Sequence, residues 1–144
     1  MDENLLPCME QKVILLTKIL DLTKQLEVSS KQKDIDLGNL PAERKIYIDR
    51  LLKCHNLIIN ILNKSEVAER EHLEKILTIK VDRATCNEEE LKLLEFTQKS
   101  QELLSKTIAL DQVLTHNIEQ ERDHLRDLVN QSRANKTSNN IFKV

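Results

Sequence analysis

Apolar residues recur at helical spacing through most of this chain. In the first segment they fall three and four residues apart in two neighbouring rows, one starting at Leu6 and the other at Leu15. This spacing gives a helix a wide apolar face, and it predicts a first helix over residues 7–31. Charged residues such as Lys12 and Lys18 interrupt the apolar run, which is far shorter than a membrane span requires.

The stretch after the first helix is the one clear linker. It is polar, and it holds the single Gly of the chain, Gly38, and the second of its two prolines, Pro41. Pro41 suits the first position of a helix, where its missing N–H would have no partner. A second helix is predicted over residues 41–84, with an apolar seam that thins after Asn63. The seam consists of Ile48, Leu52, His55, Ile59 and Leu62.

A third helix is predicted over residues 87–133. Asn87 followed three residues later by Glu90 forms a capping box, and the acidic residues in this first turn are favoured by the helix dipole. The seam that follows is close to a heptad period. A polar run then ends the helix, and we expect residues 134–144 to be a disordered tail.

These elements predict an all-α fold built on an antiparallel hairpin of two long helices. At the helical rise, the second and third helices would each be about 65 Å long, and only a short turn separates them. The shorter first helix would cover half of this hairpin, near residues 41–65 and 106–130. The tip, residues 66–105, would be a two-stranded coiled coil. We expect residues 1–133 to form a single three-helix, coiled-coil-like domain.

Composition excludes several classes of function. Of the 144 residues, 32% are charged, but the formal net charge is −2 and both signs are interspersed, so a nucleic acid partner is not expected. The three cysteines, Cys8, Cys54 and Cys86, are odd in number and far apart, which argues against a disulfide framework and fits a reducing compartment. The N-terminus does not resemble a signal peptide. We therefore predict a cytoplasmic protein without membrane insertion.

The sharpest candidate for chemistry is a repeated Glu-x-x-His motif, at Glu69 to His72 and at Glu121 to His124. Two such motifs bind a metal pair in helical di-iron proteins. In the predicted hairpin, however, they would lie about 30 Å apart. We interpret them as contacts on a solvated helix flank, and we predict no catalytic residue, cofactor or metal. A metal-dependent oxidase assembled in an oligomer is kept as a minor alternative.

Binding of a partner protein at an apolar surface is the function that the sequence then favours. The third helix carries a broad apolar stripe at helical spacing, and this stripe is either bundle core or a surface that takes up an amphipathic helix of a partner protein. Both interpretations stay open at this stage. A short apolar patch around Phe142 is a candidate docking tail that orders on binding. The stripe consists of Leu110, Val113, Leu114, Ile118, Leu125, Leu128 and Val129.

The chain resembles the flagellar export chaperones of the FlgN and FliT type, mainly over residues 5–62. The resemblance rests on the leucine-rich run 15–27, on Asp-Ile-Asp-Leu at 34–37, and on Glu43-Arg44 followed by Ile-Asp-Arg-Leu at 48–51. It implies a non-enzymatic chaperone that binds helical terminal segments of hook-associated or filament-cap proteins and escorts them to the export gate. It also implies that the C-terminal helical region binds the substrate, and that a tail aromatic, here Phe142, contacts the gate.

Two hypotheses of function follow. The first is a chaperone or adaptor that buries the amphipathic helix of a partner, such as an export substrate or a component of the export gate. The second is a structural coiled-coil scaffold, a homodimer that forms through the uncovered tip of the hairpin.

Overall fold

All regular secondary structure in the described part of the chain is helical. The computed structural model describes the backbone of residues 1–142 and the side chains of residues 1–134, and it contains no strand within that backbone. The all-α prediction is therefore confirmed. The elements are α1 (Leu5–Ser30), α2 (Leu40–Lys64), α3 (Val67–Leu77), a short 3₁₀ turn (Arg83–Thr85) and α4 (Glu88–Phe142).

The first helix lies at the centre of the fold. α1 packs along both α2 and α4, whereas α2 and α4 have no extensive packing on each other. α1 runs antiparallel to α2, because the Cys54 thiol donates a hydrogen bond to the Cys8 carbonyl at 3.1 Å while Arg44 lies 3.4 Å from the Thr23 hydroxyl. The long helices therefore meet through α1, and the expected direct seam between them is replaced by two separate interfaces.

α4 runs parallel to α1 and antiparallel to α2. Its first turns pack on the start of α1, where Leu5 and Leu93 are both fully buried in one core cluster. Near the end of α1, the Asn117 side-chain amide donates a hydrogen bond to the Ser30 hydroxyl at 3.0 Å. Since α1 ends at Ser30, the part of α4 beyond residue 117 projects past the end of α1.

The prediction of one continuous helix over residues 41–84 is wrong. The chain leaves the helix at Ser65, whose ψ of 154° is extended, and α3 starts two residues later. Arg70 explains the break, because its guanidinium turns back and donates to the carbonyls of Leu62 at 2.9 Å and Asn63 at 3.1 Å. Both carbonyls lie in the last turn of α2, where carbonyls lack the N–H of a following helical turn. The Leu62 carbonyl also accepts from the Ser65 N–H at 3.1 Å.

This break shifts the register of the hairpin. A hairpin of continuous helices turning near residue 86 would place Arg44 opposite about residue 127. In the structure Arg44 pairs with Asp111 at 2.7 Å. The expected coverage of residues 106–130 by the first helix therefore holds only for its first part, since α1 lies along α4 only up to about Asn117.

The predicted two-stranded tip at residues 66–105 is also wrong. Instead, this region contributes to a core cluster, because α3 folds back and the start of α1 covers it. Its best-buried side chains are at most 2% exposed. They are Leu5, Met9, Leu73, Ile76, Leu93 and Leu94.

The start of α4 follows the sequence prediction closely. The Glu90 amide donates to Asn87 Oδ1 at 2.9 Å, and the Asn87 amide donates to Glu90 Oε1 at 3.2 Å, which is the reciprocal pattern of a capping box. The predicted Pro41 start is likewise confirmed, since Pro41 lies in the first turn of α2. At its other end, α4 continues to Phe142, past the predicted end at residue 133.

Candidate functional site

The predicted stripe on α4 divides into a core part and an exposed part. Leu114 is 3% exposed. Leu110 is half-buried and packs against the second core cluster, which Leu16, Leu20 and Leu103 form. Leu110 and Leu114 therefore belong to the interface of α4 with α1, so for these two residues the core interpretation of the stripe holds.

The remaining stripe residues are exposed. Ile118, Leu125, Leu128 and Val129 are between 37% and 52% exposed. Val113 is also exposed, but at 100° per residue it lies about 140° around the helix from Ile118. Four of the predicted residues thus share a broad side of α4, and Val113 lies on another side.

This exposed side continues the face of α4 that packs on α1. Leu114 faces the core, Ile118 follows it by four residues, and Leu125 follows Ile118 by seven, which is the spacing of one helix side. The hydrogen bond between Asn117 and Ser30 marks the last contact of this face with α1. Beyond it, the apolar side chains lie where a longer α1 would have covered them. We call Ile118, Leu125, Leu128 and Val129 the open face of α4.

The linker between α1 and α2 lies beside the open face and borders two depressions on the surface. Ile35 and Asp34 line a depression of about 470 Å³ together with Ile118 and Leu125. A neighbouring depression of about 700 Å³ extends along the linker to Leu128. The sequence interpretation missed Ile35, although an apolar residue between two aspartates in a polar linker was a usable signal.

Charges of both signs surround the open face. Arg122 lies 3.7 Å from Asp123 on α4, and Lys31 pairs with Glu27 at 2.6 Å at the end of α1. Such a rim has no single sign of charge to steer a partner, so recognition at this surface would depend on apolar contact at the centre with polar contacts around it.

The candidate docking residue Phe142 is the last residue of α4. The side chains of residues 135–144, including that of Phe142, lie outside the described part of the chain. The predicted docking role of Phe142 therefore stays a prediction.

The two Glu-x-x-His motifs lie at opposite ends of the fold. His72 on α3 contacts the Glu90 carboxylate at the start of α4. Glu121 and His124 line the depression beside the linker. The rise of α4 separates these places by about 45 Å, more than the predicted 30 Å, because α3 folds back to the start of α4. Among the described side chains no three His, Cys, Asp or Glu residues are grouped closely enough to hold a metal ion.

The environment of the Cys54 thiol does not favour reactivity. Cys54 is buried between α1 and α2, where it packs as a small core residue. Burial raises the pKa of the Cys54 thiol, the nearby Cys8 thiol raises it further, and Lys12 partly offsets both effects. A thiol with a raised pKa is less often ionised and is a poorer nucleophile near neutral pH.

Comparisons of the chain with known proteins found no match. The chain matches no family model, no curated protein and no solved structure. Within residues 1–142 no helix has both the length and the apolar character needed to cross a membrane.

Proposed function

We propose that this protein is a chaperone or adaptor that binds an amphipathic helix of a partner protein on the open face of α4. The observation that carries the proposal is the continuity of one apolar side of α4 past the end of α1. Up to Leu114 that side is covered by α1, and from Ile118 to Val129 the same side is uncovered. A partner helix would take the place that a longer α1 would fill.

The shape of the open face favours a helical partner. It spans about 17 Å along α4, which is the length of about three helical turns. An amphipathic helix with apolar residues at i, i+3, i+4 and i+7 presents a matching stripe, and Ile35 on the linker adds a lateral contact. An extended peptide has less to gain here, since α4 offers no free backbone edge for strand pairing.

The resemblance to flagellar export chaperones suggests what the partner is. We propose helical terminal segments of hook-associated or filament-cap proteins as the ligands, with delivery to an export gate as the outcome of binding. In this proposal the protein acts in the cytoplasm, without catalysis. The resemblance supports this choice through the residues of α1, the linker and the start of α2.

The scaffold hypothesis loses its original basis in the fold. It required an uncovered tip at residues 66–105, and that region holds Leu73, Ile76, Leu93 and Leu94 in its core. The open face is also short for a two-stranded coiled coil, which normally needs three or four heptads of apolar seam. We therefore favour a partner whose helix contacts both α4 and the linker.

The proposal is tested with purified protein and synthetic peptides from the terminal helices of hook-associated proteins. Fluorescence anisotropy should show saturable binding to the wild type and a loss of at least about tenfold in affinity for L125E/L128E. The matched control is I14E/L57E, which changes two exposed apolar residues on α1 and α2. Equal loss in both variants, or no loss in L125E/L128E, would contradict the proposed site.

A further inference from the structure

A cleft lies between α2 and α4, above the central helix. It exists because both helices pack on α1 without packing extensively on each other. The ion pair between Arg44 and Asp111 bridges the two helices beyond one end, and Leu77 of α3 and the next residue, Thr78, line the other end. The cleft has a volume of about 360 Å³. This volume is at the lower end of the range for small-molecule sites.

Apolar side chains from all four helices line most of the cleft. They are the walls and floor against which a hydrocarbon chain would pack. Ile59 of α2 and Leu104 of α4 are the most exposed of these apolar side chains, at 40% and 43%. The apolar lining consists of Met9, Ile58, Ile59, Leu62, Leu77 and Leu104.

Lys12 brings a positive charge to the floor of the cleft. It interrupts the apolar side of α1 between Met9 and Leu16, both of which are buried. No described carboxylate lies within ion-pair distance of Lys12, and its ammonium has no hydrogen-bond partner among the described side chains. Burial lowers the pKa of Lys12, although its amine remains open to the cleft.

Ser100 supplies a second donor to the same space. It is only 4% exposed, it lines the cleft, and its hydroxyl makes no hydrogen bond with the residues that the structure describes. The neighbouring Thr97 differs, because its hydroxyl donates to the Leu93 carbonyl at 2.8 Å. The Ser100 oxygen is not itself fully buried, since no fully buried side-chain nitrogen or oxygen among the described residues lacks a partner. This hydroxyl is therefore open to the cleft and can bond a ligand or water there.

Glu74 restricts the kind of anion that the cleft could take. It is the one carboxylate in the lining, and it lies on α3 at the end where Leu77 and Thr78 are found. Its charge would repel an anionic group from that end. His55 and Gln101 also line the cleft, but its one ammonium, Lys12, is opposed by this carboxylate. That balance of charge suits a monoanion better than a phosphate, which carries more charge.

We propose that this cleft binds a small carboxylate with an apolar chain, such as a medium-chain fatty acid. The carboxylate accepts hydrogen bonds from Lys12 Nζ and Ser100 Oγ, and the chain packs between Ile59 and Leu104. Binding restores a counter-charge to the desolvated ammonium and covers apolar side chains at the mouth. This site is separate from the open face of α4, so it stands independently of the proposed partner.

The test is calorimetric titration of the full chain with sodium decanoate below its micelle concentration. The expected result is one site per chain, with octanoate binding about fifteenfold and hexanoate about two hundredfold more weakly, since each methylene changes affinity about fourfold. Decanol has the same chain without the charge, and it should bind at least about tenfold more weakly than decanoate. No saturable binding of decanoate would overturn the proposal.

Variants then locate the site. K12M should weaken decanoate at least about tenfold and leave decanol unchanged, and S100A should weaken decanoate by a smaller factor. The matched control K53M removes a lysine from the outer groove between α1 and α2, and it should bind decanoate like the wild type. Equal affinities of wild type and K12M would show that decanoate binds elsewhere and would also overturn the proposal. Circular dichroism confirms that each variant is folded.

Discussion

Arg44 of α2 and Asp111 of α4 form an ion pair at 2.7 Å although they are 67 positions apart in the chain. The same guanidinium lies 3.4 Å from the Thr23 hydroxyl of α1. One side chain therefore joins the three long helices at a single level. Asp111 lies close to the level at which α1 stops covering α4, six residues before Asn117.

Breaking this pair should cost little stability, because both side chains are partly exposed. A double-mutant cycle with R44M and D111N should give a coupling free energy of about 0.5–1 kcal/mol. The measurement is urea unfolding at low salt and again at 1 M salt, where screening should reduce the coupling. A coupling near zero at low salt would show that the pair does not help to set the register.

The break between α2 and α3 should depend more strongly on Arg70. Its guanidinium donates to three carbonyls, those of Leu62, Asn63 and Ser65. R70M should lower the free energy of unfolding by about 1–3 kcal/mol, since partly buried acceptors lose charged donors. Urea unfolding measures this effect. K75M, at an exposed position of the same helix, is the control and should differ from wild type by less than about 0.5 kcal/mol.

Lys12 should make stability rise with pH in the alkaline range. Burial lowers its pKa below the ordinary value of 10.5, and the nearby Cys54 offsets part of that effect. Between the lowered folded pKa and 10.5, the unfolded chain holds a proton that the folded chain has released. Raising the pH across this window therefore favours the folded state, whereas below it the desolvated ammonium opposes folding in full.

K12M tests this linkage. The variant should be more stable than wild type at pH 7, and the difference should shrink as the pH rises through the same window. Thermal unfolding of both proteins across the alkaline range measures the difference, in which the titrations of other groups largely cancel. A constant difference at all pH values would contradict a role for Lys12 ionisation.

Leu114 and Leu125 should differ strongly in the cost of truncation, although both belong to the predicted stripe. Leu114 is 3% exposed, so L114A should cost about 2–5 kcal/mol of unfolding free energy. Leu125 is half exposed, and L125A should cost less than about 1 kcal/mol. Urea unfolding of the two variants distinguishes them, and similar losses would place Leu125 in the core as well.

Local sequence signals predicted the starts of α2 and α4 well, but not the start of α3. Asn87 and Glu90 lie three residues apart and bond each other, so their capping box depends on nothing distant. Pro41 marks a helix start for the same local reason. Apolar periodicity also identified the helical class, because each helix needs a repeated apolar side to pack.

The register was not predictable from these signals. The break at Ser65 depends on Arg70 turning back to the end of α2, and nothing in the periodicity distinguishes this arginine from those on exposed surfaces. Once α3 folds back, every pairing in the hairpin moves. The prediction placed α1 over residues 106–130 of the third helix, and the structure places its end at Asn117.

The same limit applies to the candidate sites. Leu114 and Leu125 belong to the same periodic stripe in the sequence. Only the end of α1 at Ser30 decides that Leu114 is covered and Leu125 is open. Lys12 was visible as a charge within an apolar row. That Lys12 and Ser100 line the same cleft could not be inferred, since it requires α1 and α4 to run parallel.

The central claim is that the open face of α4 binds a partner helix and does not support the fold. The most direct measurement compares partner binding by L125E/L128E and wild type, with the free energy of unfolding measured on the same samples. We predict that the variant loses binding at least about tenfold while its unfolding free energy stays within about 1 kcal/mol of wild type. Unchanged binding, or a loss of binding that only accompanies unfolding, would contradict the claim.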